Sequence, residues 1–565
     1  MKTRAWLWIV VVLLVLPVAP LGADEDAVPV PRDPQGKPLV PTGGDAEKIL
    51  DPYDAETGKP LVPTDAEGQA ETPGAEPGHS LLPPAPFREV TLHDVVRMGL
   101  RANLTLLSGA YNPSIAMEQY RAASAIFDPL VSADMDLAHD EQPATATFFG
   151  VDVFEEDTFG TSAGISQRLK TGGSVSFLYR ADRLDSNNLF NDLVPYWTNR
   201  AIVEGTQPLL RGAGDVVMTD IRLASNGVRI ANENQRTLVQ ETLFAIVQAY
   251  WDLVYVQAEV ISRLKSEDVA AELLQNAQAR LDAKVGTPLD VAEARAGLER
   301  RRGNRIKAEG FRGAAQDRLR ALVMPFGTKE EREAVTFVAT DGVEGNLGTV
   351  PTGDNLQGYI DMALANRPEI RAAQALLSNR DVEIYAAANA VKPQVDLVGR
   401  LGSAGLRDTF GTAFEQMATG QAVSGAIGVR FSMFIGMRAA KADLRLAEWA
   451  RRQTVLDKQE VENRVVAEVR AGVRDVLTAQ AVEQAGAEEV RAANENLRGE
   501  QRRLDNGKST PFRVLQKEDD LADARTRYLR SSTDRRIAEA SFWRSVGFLP
   551  QTLGVGGTPA QGKKP

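Results

Sequence analysis

The stretch ARLDAKVGTPLDV, Ala279 to Val291, recurs 223 residues later as RRLDNGKSTPFRV, Arg502 to Val514. Leu281 falls over Leu504, Thr287 over Thr510, Pro288 over Pro511 and Val291 over Val514. In each copy a long proline-free stretch ends in a short polar turn and restarts at a Thr-Pro pair, where proline suits the first helical position. Both copies therefore read as the bends of long helical hairpins.

The periodicity upstream supports this. Steps of alternating three and four residues from Val239 to Val285 meet apolar side chains everywhere except Gln257, Glu267 and Gln278. That is a 3.5-residue seam of the coiled-coil kind. Gln257 and Gln278 recur as Gln480 and Gln501, so the polar interruptions repeat too. The pattern predicts a helix from Met218 to Lys284, roughly 100 Å long at 1.5 Å per residue, returning from Pro288 to Leu322. The second hairpin is predicted from Met437 through Gly507 to Val546.

Each hairpin is preceded by a predicted helix pair. LHDVVRMGLRANLTLL at Leu92 matches LQGYIDMALANRPEIRAAQ at Leu356, now at an offset of 264. The two offsets differ by 41 residues, so the first copy holds an insertion of that size, within residues 130 to 217. Between helix pair and hairpin the period changes to two. Val131, Ala133, Met135 and Leu137 alternate with Ser132, Asp134 and Asp136; Val175, Phe177 and Tyr179 do so with Ser174, Ser176 and Arg180. Copy two has Val395, Leu397 and Leu401 against Asp396 and Arg400, then Ile427, Val429, Phe431 and Met433 against Gly428, Arg430 and Ser432. Strands apolar on one face and polar on the other are what a transmembrane barrel shows.

Composition removes other chemistries. With no cysteine and only His79, His93 and His139, none in a paired motif, the chain offers no disulfide scaffold, zinc or iron–sulfur site, or Ser-His-Asp triad. Gly212-Ala213-Gly214 lacks the rest of a phosphate loop, and no basic aromatic patch supports nucleic-acid binding. No enzyme activity, cofactor or metal is expected. Lys2 and Arg4, the apolar run Trp6 to Leu16 and the small residues Gly22 and Ala23 read as a signal peptide over 1–23. Residues 24–87 hold 13 of the 29 prolines and too few apolar residues to offset the entropy of ordering, so they read as a disordered linker. This linker carries GKPLVPT twice, at Gly36 and Gly58, and a charge of −9 out of the chain's −11. The expected organisation continues as a first repeat at 88–325, with four strands in 130–209 and the hairpin 218–322. A connection at 326–353 leads to the second repeat at 354–550, with two strands in 394–433 and the hairpin 437–546. A flexible tail follows at 551–565.

ALANRPEIRAAQ at Ala363, GTQPLLRGAG at Gly205, FSMFIGMRAAKADLRLA at Phe431 and the two turns resemble the TolC family of outer membrane efflux proteins, over nearly the whole of Arg88 to Pro550. The resemblance implies a mainly α homotrimer whose helical hairpins form a tunnel across the periplasm. Strands of three chains close a barrel in outer-membrane lipid. It also implies an exit duct of a tripartite pump or type I secretion system, docked to a periplasmic adaptor and an inner-membrane transporter or secretion ATPase. Leu281, Val285, Gly286, Thr287, Pro288, Leu504, Lys508, Ser509, Thr510 and Pro511 would then form the periplasmic tip and adaptor contact. The family narrows its mouth just after the second turn, where its best-known member has two aspartates three residues apart. Arg513 and Gln516 stand at those positions, and the acidic pair is found in copy one as Asp290 and Glu293. Arg513 either makes a cationic ring at the constriction or pairs with Asp290 or Glu293.

The insertion reads as two more strands, about Phe159 to Gln167 and Ser174 to Arg180, joined by the turn Lys170 to Gly173. Long polar connections flank it, Ala138 to Asp157 and Ala181 to Thr198, holding Phe148, Phe149, Phe154, Tyr196 and Trp197. Six strands per chain predict an 18-stranded barrel rather than the family's usual 12; a hairpin folded outside the membrane would leave 12. A periplasmic coiled-coil or adaptor protein without a pore is the competing reading.

Overall fold

The computed structural model describes residues 87–143, 152–187, 192–324, 335–343, 347–348, 351–506 and 508–555, all within one compact unit spanning Pro77–Pro565. The expected signal peptide, both GKPLVPT copies, Phe148 and Phe149 lie outside the described residues.

Strand β1 (Phe87–Val90) leads into α1 (Leu92–Ala102), α2 (Leu104–Gly109) and α3 (Tyr111–Ser124). Strands β2 (Leu130–Pro143), β3 (Val153–Arg168), β4 (Ser174–Ser186) and β5 (Tyr196–Pro208) precede the hairpin of α4 (Thr219–Asp282) and α5 (Pro288–Val323). Strand β6 (Thr336–Ala339) precedes copy two, which has α6 (Leu356–Asn366), α7 (Pro368–Ala390), β7 (Gln394–Arg407), α8 (Phe410–Ala418) and β8 (Ala422–Ser432). The second hairpin is α9 (Arg438–Asp505) with α10 (Pro511–Val546), and α11 (Leu549–Thr552) follows. The 64 residues of α4 and the 68 of α9 run roughly 95 to 100 Å at 1.5 Å each.

The repeat is visible in the packing. Ile246, Tyr250 and Leu253 of α4 are fully buried with Val95 and Val96 of α1; Val469, Val473 and Val476, 223 residues on, are buried with Tyr359 and Ile360 of α6. Gly99 of α1 lies against Ile246 so closely that a Cβ would clash with it. Its counterpart at offset 264 is Ala363, wholly buried in the second core. Along α4 the seam is buried only in its first half. Leu264 is 41% exposed and Val285, just past the helix end, 71%, because a two-helix hairpin covers one side of each helix and leaves the other bare.

One seam glutamine, with Gln316 of α5, has a specific task. Gln257 donates to the Phe337 carbonyl (3.0 Å) and accepts from the Ala339 N–H (3.1 Å), while Gln316 of α5 holds Phe337 through both its N–H and its carbonyl. They serve the free edge of β6, whose other edge pairs in parallel with β1. This two-stranded sheet was not anticipated: β1 begins at Phe87, inside the expected linker, and β6 lies inside the expected connection. A parallel pair assembled from segments so far apart leaves no local alternation to read.

Strands β2-β3-β4-β5-β7-β8 form one antiparallel sheet in that order. The inserted β3 and β4 are interior strands, fully paired on both sides. The strands also run further than the alternation indicates, into the expected polar connections. Pairing continues from Leu137↔Phe159 to Pro143↔Val153, carried by backbone hydrogen bonds and cross-strand partners such as His139 and Asp157 (2.7 Å) rather than by apolar side chains.

Candidate conduit surfaces

Register converts six separate alternations into two coherent faces, since directly paired residues point the same way. Val131, Ala163, Phe177, Val203, Leu401 and Ile427 belong to one face, with the other odd-numbered strand residues. From the helix-proximal ends to just short of the row Leu137–Phe159–Arg183–Trp197–Arg407, that face carries no charged side chain; Arg183 and Arg407 are its first charges. Beyond that row stand His139, Asp157 and Asp185. The opposite face carries Asp134, Asp136, Arg180, Asp182, Arg200, Glu204, Arg400 and Arg430. Arg180 reaches Asp182 at 2.6 Å and Asp136 at 3.5 Å, and Glu204 sits directly across from Arg400.

The sheet's polarity relative to the helices is set at the β3–β4 turn. Gly172 (φ 88°) packs on the Gly212 carbonyl, leaving no room for a Cβ, and Gly214 N–H donates to Thr171 (3.0 Å). Gly212 and Gly214 both take positive φ, and Gly212 N–H is held by Asn389 at 2.8 Å. So the Lys170–Gly173 turn lies on the helical side, and the β2–β3 and β4–β5 connections lie at the far end. The outer edges of the sheet, β2 and β8, are exposed along their whole length.

The two tips are built differently. At the first, the chain leaves α4 with Lys284 at φ 59°, and the Val285 and Gly286 N–H groups both donate to the Arg280 carbonyl (2.9 Å each). Thr287 then caps α5 in a reciprocal box with Asp290: Thr287 N–H to Asp290 Oδ2 at 2.9 Å, and Asp290 N–H to Thr287 Oγ1 at 3.2 Å. Hydrogen bonds from the Thr287 N–H and hydroxyl hold the Asp290 carboxyl below its ordinary value. Asp290 is thus a helix-capping residue. At offset 223 its counterpart is Arg513, which cannot accept a hydrogen bond, and Thr510 has no side-chain cap. The second tip uses Glu500 instead. The Ser509 hydroxyl donates to its carboxylate, which Arg503 meets at 3.3 Å. That hydroxyl chiefly, then Arg503 and Arg513, keeps the Glu500 carboxyl low.

Arg513, Gln516, Asp290 and Glu293 are all exposed, and no ion pair within 4 Å joins Arg513 to Asp290 or Glu293. Leu281 and Leu504 are half-buried, with Leu504 against the small core of Leu497, Val514 and Leu521. Val285, Leu289 and Phe512 leave an apolar tip surface in the open. Glu500 was missed by sequence reasoning because its partner Ser509 is across the bend. The hairpins are laced together by ion pairs that sequence also did not reveal: Arg301 to Asp519 (2.8 Å), Arg263 to Asp523 (3.1 Å) and Arg530 to Asp252 (2.9 Å). Beside Arg301, burial pushes the Glu518 carboxyl above its ordinary value.

Among the described residues no helix is long and apolar enough to cross a membrane, and no cluster of acidic and histidine side chains could hold a metal.

Residues 359–547 match the family model described as outer membrane efflux protein. The outer membrane efflux protein BepC of Brucella suis biovar 1 (strain 1330) is 27% identical over 337 residues, 58% of this chain and 68% of that protein. The fold is similar to that of the Campylobacter jejuni outer membrane channel CmeC, with a TM-score of 0.61 at 13% identity over 81% of this chain and 86% of that one. It is also similar to the open state of the Neisseria gonorrhoeae outer membrane channel MtrE, with a TM-score of 0.58 at 17% identity over 81% and 89%.

Proposed function

We propose that this chain belongs to the outer membrane efflux protein family, whose model its residues 359–547 match, that its six-stranded sheet is one third of an outer-membrane barrel and that the helical hairpins continue the barrel as a periplasmic duct. The observation that carries this reading is the phase agreement of the sheet, whose helix-proximal rows are free of charge on one face and charged on the other across all six strands. The apolar face meets lipid and the charged face lines a water-filled lumen, as barrels require. An open sheet cannot stand in lipid with bare edges. β2 runs away from the helices and β8 runs back, so β8 of one copy can pair antiparallel with β2 of the next. Three copies then close 18 strands rather than 12, a wider pore. The duct is passive. Its tips, Val285 to Pro288 and Lys508 to Pro511, dock a periplasmic adaptor, and an inner-membrane transporter or secretion ATPase supplies cargo and energy.

The absence of cysteine makes the test direct. Single cysteines at Ala133 of β2, combined with a scan of Gly425 to Phe431 in β8, should yield one oxidised pair that links chains into covalent trimers. Imaging should count 18 strands. A barrel of 12 strands, with cysteines at Val175 and Phe177 labelled readily by aqueous reagents, overturns the reading.

A further inference from the structure

The apolar face of the sheet is not bare throughout. Helix α8, in the connection between β7 and β8, lies flat on it at the end far from the helical hairpins. Its seat is built for it. Ala413 is fully buried, and its carbonyl lies where a Cβ on Gly405 would be, so only glycine at that strand position lets the helix down. Asn199, 0% exposed, donates to the Phe410 carbonyl at 3.0 Å and accepts from the Tyr179 hydroxyl at 2.8 Å; Ser403 donates to the Met417 carbonyl at 2.6 Å. Thus α8 covers two polar side chains on a face otherwise fit for hydrocarbon, where an uncovered polar group would be costly.

What α8 shows outward is amphipathic. Phe410 and Phe414 stack with centroids 6.2 Å apart, each 44% exposed, and extend sideways over the strands. Trp197 meets Phe410 edge-on at 5.4 Å, Phe159 meets Trp197 at 6.3 Å and Tyr179 meets Phe414 at 6.1 Å. Thr412 and Glu415 point away from the sheet, exposed. This aromatic group spans the last rows of the apolar band: Phe159 and Trp197 share their row with Arg183 and Arg407, and the next row holds His139, Asp157 and Asp185. A band that changes from apolar to charged across a belt of aromatic side chains is the profile of a membrane–water interface.

We infer that α8 is an interfacial anchor, lying in the outer leaflet of the outer membrane with Phe410 and Phe414 among the acyl chains just below the headgroups and Glu415 toward water. The inference rests on the barrel reading above. The occupant is lipid rather than a second protein, because the aromatic surface is continuous with the lipid-facing band and ends where the charge begins.

Single cysteines at Phe414, Glu415 and Ile427, labelled with a polarity-sensitive fluorophore, test this in the trimer reconstituted into phosphatidylcholine nanodiscs. The lipids are brominated either next to the headgroup or near the chain ends. The Phe414 label should lose fluorescence with the shallow bromines, the Ile427 label with lipid bromines at greater depth, and the Glu415 label mainly with aqueous iodide. Quenching at Ile427 but none by lipid at Phe414, whether iodide reaches it or not, overturns the anchor alone. No lipid quenching at Ile427 overturns the barrel reading and the anchor with it. If Phe414→Cys proves unstable, Phe410→Cys gives the same readout.

Discussion

The guanidinium of Arg301, 4% exposed on α5, meets the carboxylate of Asp519 on α10 at 2.8 Å. The same group donates to the Ser266 hydroxyl (3.2 Å) and to the Gly297 (3.2 Å) and Leu515 (3.4 Å) carbonyls. One side chain therefore ties both helices of the first hairpin to the second, between the cores and the tips.

Arg301→Met should loosen this joint. Removing one partner of a buried pair costs about 3–5 kcal/mol, and Asp519, a third exposed, recovers part of that by hydration, so a loss of about 2 kcal/mol is expected. Thermal unfolding followed by circular dichroism measures it; Arg300→Met, whose side chain is 67% exposed and 3.4 Å from Asp519, should change little.

Gly286→Glu should abolish export while leaving folded protein in the outer membrane. A Cβ there stands 3.1 Å from the Arg280 carbonyl carbon and the Leu281 nitrogen, so the tip must shift, and the new charge would sit on the proposed docking surface. Cell susceptibility to exported toxic compounds and crosslinking from cysteine at Lys508 read the effect. Normal export together with no captured adaptor would mean that the tip is not the docking site.

Arg513→Glu should shift the ion preference of the pore toward cations in planar bilayers, because a ring of identical charges at a constriction dominates the local field. It should also raise the Glu500 carboxyl, which Arg513 now helps to keep low. Unchanged selectivity would put Arg513 outside the constriction.

The tips should respond differently to acid. Asp290 is held ionised in its capping box, so its folded-state value lies below its unfolded one. The cap is present at neutral pH and is lost as pH falls through that depressed value. Hydrogen exchange of the first α5 amides should therefore quicken only below the ordinary carboxylate range, and Asp290→Ala should remove the protection at neutral pH. Thr510, opposite Arg513, has no such box to lose.

The glutamines at Gln257 and Gln278 show how far periodicity reaches. As breaks in an apolar seam they were visible, and their recurrence marked the repeat. That Gln257 satisfies the backbone of β6 was not visible, because β6 arrives from a distant segment. Phe410 to Ala418 likewise offers one short amphipathic turn in a loop between strands, with nothing local to say which surface it covers. Glu500 looks like any charged residue of a long helix until the bend brings Ser509 back to it.

Sequence alone determined the duplication, the hairpins with their Thr-Pro restarts, and the two-faced character of the strands, since these depend on spacing along one chain and on the preferences of proline, β-branched and apolar residues. Only tertiary structure decided the order and phase of the six strands, the extension of pairing into polar segments, the place of α8 and the ties between hairpins. Each of these depends on which groups meet across hundreds of residues. Hydrogen-bond register and the Coulomb energy of a buried pair arise between segments, and no local pattern encodes them.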